Sequence, residues 1–394
     1  MKQFVMYGAG SIGRGFIGSL FSKIGYEVTF IDVNDEVIRL INQKKGYNQI
    51  IVGDTPKVCH IDHVKAVDGK DEQAVCQAIA QADLMATALG ANVLPKVAPL
   101  IAKGLEYRWQ ERGDEPLDIL ICENLMDADH ILHGYVKEHI SDSNKMDLLV
   151  GFIETSIGKM VPPADNFTEK VDPLDVRQEA YEYLPVNSET LKTKLPECPN
   201  IIPYTPFNYY VKRKLYIHNM AHLTCAYLGM LEGYTYISES ASNTSIQWIL
   251  KKCMEESSIA LALEYNTNYR DLQLHMNDLL YRFANKELKD TVARVARDPM
   301  RKLQASDRLI GSVRLCLAQD VQPIYLAFAT ALALYHVEDK SVDDVLKDVC
   351  LIRENEEVYQ WIRKNLKLLK EGLSLEEIIS SLQKFEHEIN GSIL

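Results

Sequence analysis

A glycine pattern set between a strand and a helix restricts this chain more than any other feature. Residues Lys2 to Tyr7 form a short apolar run closed by glycine, as a buried parallel strand does. Gly8-Ala9-Gly10-Ser11-Ile12-Gly13 follows, and from Arg14 to Phe21 the apolar residues recur at helical spacing. In Gly-x-Gly-x-x-Gly the first glycine permits a tight turn, the second lets backbone approach a pyrophosphate, and the third lets the helix pack closely on the strand. The helix N-terminus, with its free N–H groups and dipole, favours that anion. Gly8, Gly10, Ser11, Ile12 and Gly13 are therefore candidate cofactor contacts. The motif alone is a weak signal. Here a second strand, Glu27 to Ile31, ends in Asp32, about 19 residues after Gly13. A carboxylate at that place accepts hydrogen bonds from the ribose hydroxyls of NAD and repels the extra phosphate of NADP. The expected cofactor is NAD.

Strand-like runs recur at Leu84–Ala88, Asp118–Cys122 and Leu148–Ile153, with a helix-like stretch around Val93–Lys103. Such alternation predicts an open parallel sheet, whose ligands gather at the carboxyl ends of the strands. Thr87 and Gly90 lie at one such end and are further cofactor candidates. Asn124 lies at another and is a candidate for touching substrate or nicotinamide, although it would serve equally well as a helix N-cap. Residues 162 to 206 hold eight of the 14 prolines and read as an irregular connector with room for short strands. Beyond them helical periodicity dominates, as in Ile246–Leu263, Val292–Ala296 and Ile324–Tyr335. Ser374-Leu375-Glu376-Glu377 fits a capping box. The expected architecture is an α/β, Rossmann-type doubly wound sheet with its connector over 1–200, then a mostly α-helical substrate and catalytic domain over 201–394.

Composition excludes several classes. The hydrophobic share of 47% and charged share of 25% are those of a globular protein. A net charge of −12 argues against general nucleic-acid binding, which needs a basic face. The partner expected is a small molecule. The eight cysteines are scattered without a Cys-x-x-Cys pair, and the chain enters a strand at once with no targeting segment, so the expectation is reduced thiols in a cytoplasm. The longest apolar run, Ile324 to Tyr335, is too short to span a bilayer. His130 and His133, with Asp127 nearby, do not make up the three or four convergent ligands that zinc needs, and no metal is expected.

The chemistry is expected from Lys214 to His222, which reads Lys-Leu-Tyr-Ile-His-Asn-Met-Ala-His. At about 100° per α-helical residue, His222 falls roughly 80° and Asn219 roughly 140° from Lys214. A base, an amide donor and an imidazole then share one side of a helix. His218 falls at roughly 40°, so this geometry does not choose between the two histidines. An acidic chain must also gather positive charge locally to hold an anionic substrate. Arg213, Arg301, Lys302 and Arg308 are the candidates, with a solvated charged face as the ordinary alternative.

At this point the sequence resembles a family, the polyol-specific long-chain dehydrogenases, along nearly its whole length. Tyr7 to Gly18 looks like the family's nucleotide loop, Asp32-Val33-Asn34 like its second-strand end, and Cys122-Glu123-Asn124 like its Cys-acid-Asn motif. Lys214, Asn219 and His222 match Lys-x4-Asn-x2-His, and Arg301 to Ile310 is similar to a stretch of the mannitol-phosphate branch. The resemblance implies metal-free, reversible oxidation of a hexitol phosphate, mannitol 1-phosphate, to the ketose phosphate, fructose 6-phosphate. It implies Lys214 as general base, Asn124 and Asn219 on the reacting oxygen, and His222 rather than His218 orienting a neighbouring hydroxyl. Two places depart from the pattern: Gly158-Lys159 stands where the family carries Asp-Arg, and Ser11 where Asn is usual. The rivals are a hexuronate reductase of the same family and a non-catalytic NAD-sensing protein. The latter has no use for a Lys-Asn-His face.

Overall fold

The computed structural model describes residues 1–161, 172–337 and 340–391. It divides into two compact units, Met1–Tyr210 and Val211–Leu394. The last strand of the connector, Ile201–Tyr204, pairs with Leu184–Asn187 and so belongs to the first unit. The opening of the proline-rich connector, 162–171, lies outside the described residues.

Among the described residues the first unit contains eleven strands: β1 Lys2–Tyr7, β2 Tyr26–Asp32, β3 Tyr47–Ile51, β4 Lys57–Ile61, β5 Val64–Asp68, β6 Leu84–Thr87, β7 Leu117–Ile121, β8 Val150–Glu154, β9 Val176–Gln178, β10 Leu184–Asn187 and β11 Ile201–Tyr204. Six form one parallel sheet in the order β5-β2-β1-β6-β7-β8. The chain runs outward from β1 through β2 to β5, then returns to β6 on the other side. The order therefore reverses between β1 and β6, which is where ligands bind in doubly wound sheets. Both faces are buried, as parallel sheets require. Phe4 and Met6 pack with Phe16, Ile17, Phe21 and Phe30 on one face. Val5 and Tyr7 pack with Val75, Ile79, Ile101 and Leu105 on the other. A smaller sheet, β4-β3-β9, and the β10-β11 pair complete the unit.

The strands expected from sequence are present with shifted ends. Leu148 and Leu149 close the helix Ser143–Leu149 instead of opening β8. The helix expected around Val93–Lys103 runs from Leu94 to Arg112.

The second unit is helical. Ile324–Tyr335 lies buried along nearly its whole length, in contact with Thr244–Tyr265, Met220–Leu231 and Glu357–Lys370. Its N-terminus follows Pro323 and is capped from another helix: Glu256 accepts from Tyr325 N and Leu326 N, both at 2.9 Å. Burial pushes that carboxyl up to about 8. The capping box at the last helix forms, with Ser374 N and Oγ donating to Glu377 Oε2 and Glu377 N donating to Ser374 Oγ. Among the described residues no helix is long and apolar enough to cross a membrane.

Candidate active site in two halves

The first half lies at the reversal point of the sheet. Gly8 has φ +106°, and a Cβ there would sit 2.4 Å from Ala88 O, so only glycine allows β1 to turn beside β6. A Cβ on Gly13 would come within 2.0 Å of Gly8 O, which closes the loop upon itself. Gly10 is different: it is exposed, and a Cβ there would meet nothing within 4 Å. The loop is thus closed on its protein side and open where the fold family places a pyrophosphate. Ser11 is exposed beside it and Ile12 half-buried.

Asp32 holds this loop as well as standing at its expected place. Its Oδ2 accepts from Ala9 N at 2.7 Å, and its Oδ1 from Val33 N and Asn34 N at 2.8 and 3.0 Å. A carboxylate offers about four lone-pair sites, so acceptor capacity remains for a ribose hydroxyl. No sequence signal distinguishes this clamp from the ribose role.

Next along the sheet, Leu89 N and Gly90 N donate to the two oxygens of buried Glu123 at 2.9 and 2.8 Å, which fixes the turn after β6 from the end of β7. The Thr87 hydroxyl is buried and has no protein hydrogen-bond partner among the described residues. Open backbone at Gly10, a fixed carboxylate at Asp32 and an unsatisfied hydroxyl at Thr87 together fit a dinucleotide. Asn124 is exposed just past Glu123. It is not the cap of the following helix, Ala128–Lys137, whose N-cap is Asp127. His133 binds Asp147 at 2.6 Å and packs edge-on against Phe152, as a helix-packing residue does. Among the described residues no cluster of His, Cys, Asp and Glu could hold a metal.

The second half is one continuous helix in three parts: Asn208–Lys212 is α, Arg213–Asn219 is π and Met220–Leu231 is α again. The α-helical arithmetic of 100° per residue therefore does not hold across Lys214 to Asn219. In a π turn the hydrogen bond spans i to i+5, as Met220 N to Leu215 O does here. Asn219 is five residues from Lys214 and so stands one π turn above it, where an α-helix would have swung it well to one side. His222 follows Asn219 at the i+3 spacing of an α-helical face. By these spacings the three residues fall along one side of the helix.

The two histidines have different surroundings. His218 is buried against Phe283, at 5.6 Å between ring centroids. Burial, with Arg282, His222, His275 and Lys214 nearby, holds it well below the usual imidazole range. His222 keeps 14% of its side chain accessible and lies 3.2 Å, through Nε2, from Asp290 Oδ2.

The basic residues also separate. The loop bearing Arg308 is docked on the π segment: Ser312 Oγ donates to Tyr216 O and Arg308 O, and a Cβ on Gly311 would strike the Tyr216 ring at 2.5 Å. Arg308 Nε donates to Asp307 Oδ1 at 2.8 Å, and Arg301 lies 3.6 Å from the same carboxylate but is largely exposed. Lys302 is buried, with its ammonium donating to Val295 O at 2.6 Å and to Arg297 O. Burial, with Arg308 and Arg301 nearby, brings it down to about 8. It fastens the end of the short helix Val292–Ala296. Arg213 is half-buried beside His275.

Two family models cover the chain: the mannitol dehydrogenase Rossmann domain over residues 2–200 and the mannitol dehydrogenase C-terminal domain over 207–390. The mannitol-1-phosphate 5-dehydrogenase of Caldanaerobacter subterraneus subsp. tengcongensis is 33% identical over 398 residues, covering 100% of both chains. The protein of the same name from Thermoanaerobacter pseudethanolicus is 34% identical, covering 94% of this chain and 99% of its own. Among solved structures, a substrate-free D-sorbitol dehydrogenase matches with TM-score 0.75 at 14% identity over 93% of both chains. Pseudomonas fluorescens mannitol 2-dehydrogenase, solved with NAD and D-mannitol, matches with TM-score 0.72 at 15% identity over 97% of this chain and 94% of its own.

Proposed function

The chain belongs to the mannitol dehydrogenase family, and from that premise we propose that it is an NAD-dependent mannitol-1-phosphate 5-dehydrogenase. It oxidises mannitol 1-phosphate reversibly to fructose 6-phosphate, without a metal and with Lys214 as general base. What supports the reading is the π segment Arg213–Asn219, which carries Lys214 and Asn219 and continues into the helix that bears His222. Relatives of that name along the full chain support the substrate.

Oxidising a secondary alcohol removes a hydride from carbon and a proton from its hydroxyl. When bound, the nicotinamide supplies the hydride acceptor. Gly8, Gly10, Gly13 and the turn at Ser11 and Ile12 hold the dinucleotide, Asp32 its ribose, and Thr87 and Gly90 line the same strand ends. Lys214 takes the hydroxyl proton. An ordinary lysine titrates near 10.4 and is a poor base at neutral pH. Burial and nearby positive charge are the general means by which a neutral amine is made available. Asn219 and Asn124 donate to the oxygen as charge develops on it, a task for preorganised donors. His222 orients the neighbouring hydroxyl. Arg308, with Arg301 and Arg213, receives the phosphate, for which the planar guanidinium fork is suited.

The test is initial-rate formation of NADH by the wild type, after dialysis against a strong chelator, with mannitol 1-phosphate, mannitol, and the reverse reaction with fructuronate and tagaturonate. Preference for mannitol 1-phosphate is expected. Preference for a hexuronate would make the protein a reductase of that branch, activity restored only by zinc would end the lysine mechanism, and no turnover of any substrate would leave an NAD-sensing protein.

A further inference from the structure

We infer that Asp290 is a positioning residue for this reaction, fixing His222 with its proton on Nε2 so that Nδ1 is left as an acceptor for a substrate hydroxyl. The inference rests on His222 touching substrate, as proposed above.

Asp290 is 68 positions from His222 in sequence, yet it is built rigidly into place. Its carbonyl accepts from Ile237 N at 2.9 Å, and the next residue, Thr291, bridges to Tyr236. Val292 N donates to Thr235 O at 3.0 Å. Thr291 caps the helix Val292–Ala296, and from that helix Arg294 grips both carboxylate oxygens, Nε to Oδ1 and Nη2 to Oδ2, each at 2.7 Å. Oδ2, which already accepts from Arg294 Nη2, also lies 3.2 Å from His222 Nε2, in an approach too bent to count as a hydrogen bond. The imidazole lies flat on Phe283, at 4.9 Å between centroids and 17° between planes. Phe283 thus sets the plane of the ring and Asp290 its rotation within that plane.

The charge state of Asp290 decides the tautomer. Burial alone would raise its carboxyl, but His222 and Arg294 outweigh burial and bring it down to about 2. An ionised carboxylate only accepts, so the nitrogen facing it must carry hydrogen, and in a neutral ring the other nitrogen is then an acceptor. The groups around the histidine pair are Lys214 and His218 on the same helix, His275 and Arg282 on Tyr269–Phe283, and Arg294. Asp278 pairs with Arg282. The bent geometry is that of a contact still to tighten, as contacts in ligand-free sites commonly do when substrate arrives. A polyol offers a hydroxyl beside the reacting carbon, and an acceptor at Nδ1 holds that hydroxyl by its hydrogen. Its oxygen is thereby turned away from the proton that Lys214 must take.

A double-mutant cycle between Asp290→Asn and His222→Ala tests this, read as kcat/KM for mannitol 1-phosphate with NADH affinity measured separately. Asp290→Asn should lower kcat/KM by roughly 10- to 100-fold, by analogy with the partners that orient metal-bound histidines, with NADH affinity unchanged. In the His222→Ala background the same substitution should cost nothing further, because its effect passes through the ring. An undiminished loss in that background overturns the inference. A His222→Ala variant with wild-type activity overturns the reading of the site instead. A second measurement needs no variant: nitrogen-15 spectra of the wild type at about pH 9, well above the ordinary imidazole range near 6.5. His222 should carry its proton on Nε2 alone, and a proton on Nδ1 or on both nitrogens contradicts the inference.

Discussion

Gly13–Gly18 and Arg213–Asn219 are both π-helical stretches set in α-helix, and they use the wider turn differently. The first carries three glycines and follows a loop closed on its protein side: a Cβ on Gly8 would meet Ala88 O and the Leu89 side chain, and one on Gly13 would meet Gly8 O. The second carries Lys214, His218 and Asn219, and its wider turn lines up side chains. π turns occur disproportionately at functional sites. Here one follows the glycine loop, and the other carries the proposed catalytic side chains. A backbone site binds whatever presents phosphates to free N–H groups, while a side-chain site selects one reaction.

That division of labour has consequences of graded size. Lys214→Ala should have the largest effect on turnover, lowering kcat by about 10²- to 10⁴-fold, the range for general acid–base catalysis. Stopped-flow hydride transfer is the direct readout, and unchanged transfer would remove Lys214 from the chemistry. Arg308→Ala comes next. Charge-assisted hydrogen bonds are worth about 1.5–3 kcal/mol each, so kcat/KM for mannitol 1-phosphate should fall roughly 10- to 150-fold at about 1.4 kcal/mol per decade. The rate on unphosphorylated mannitol should hardly change, and equal losses on both would mean that Arg308 supports the helix on which its loop is docked.

On the backbone side, Asp32→Ser should reduce the NAD-over-NADP preference about tenfold or more, because it removes the charge that repels the extra phosphate. It should also weaken binding of both cofactors, since the Ala9 N–H loses its acceptor. A fall in affinity with the ratio intact would assign Asp32 to loop support alone. The smallest effect belongs to Thr87→Val. If the hydroxyl is kept for cofactor, NADH affinity should fall by roughly 2- to 10-fold, the worth of one neutral hydrogen bond. The melting temperature of the free protein should not fall, and a lower one would show the hydroxyl to be structural.

The same contrast explains what could be read from sequence. The glycine loop is legible because backbone demands leave glycines at fixed spacing, and Asp32 stands at the end of a recognisable strand. The six-stranded sheet is legible except for β5, whose Val-Lys-Ala-Val-Asp is short and half polar. The β4-β3-β9 sheet was hidden for the same reason, and because β9 joins β3 from more than 120 residues away. In the catalytic half the residue types were visible but the π turn was not, so α-helical angles misplaced Asn219. Runs of like charge do not reveal which charge turns inward. Lys302, beside Arg301, proves to be spent on carbonyls. Nothing in the sequence linked Asp290 to His222, because the histidine lies on a helix 68 residues away; only its i,i+4 spacing to Arg294 is legible.

The central proposal is that the π-helical stretches Gly13–Gly18 and Arg213–Asn219 act separately, one on cofactor binding and the other on chemistry. The measurement that tests it most directly is NADH affinity by fluorescence titration for Gly13→Ala and Lys214→Ala side by side. A Cβ on Gly13 has nowhere to go but into Gly8 O at 2.0 Å, and overpacking of this kind costs about 1–3 kcal/mol, so affinity should fall by roughly 10-fold or more. Lys214→Ala should bind NADH as the wild type does while failing to turn over. Equal affinity losses in the two variants, or tight NADH binding by Gly13→Ala, would contradict the account.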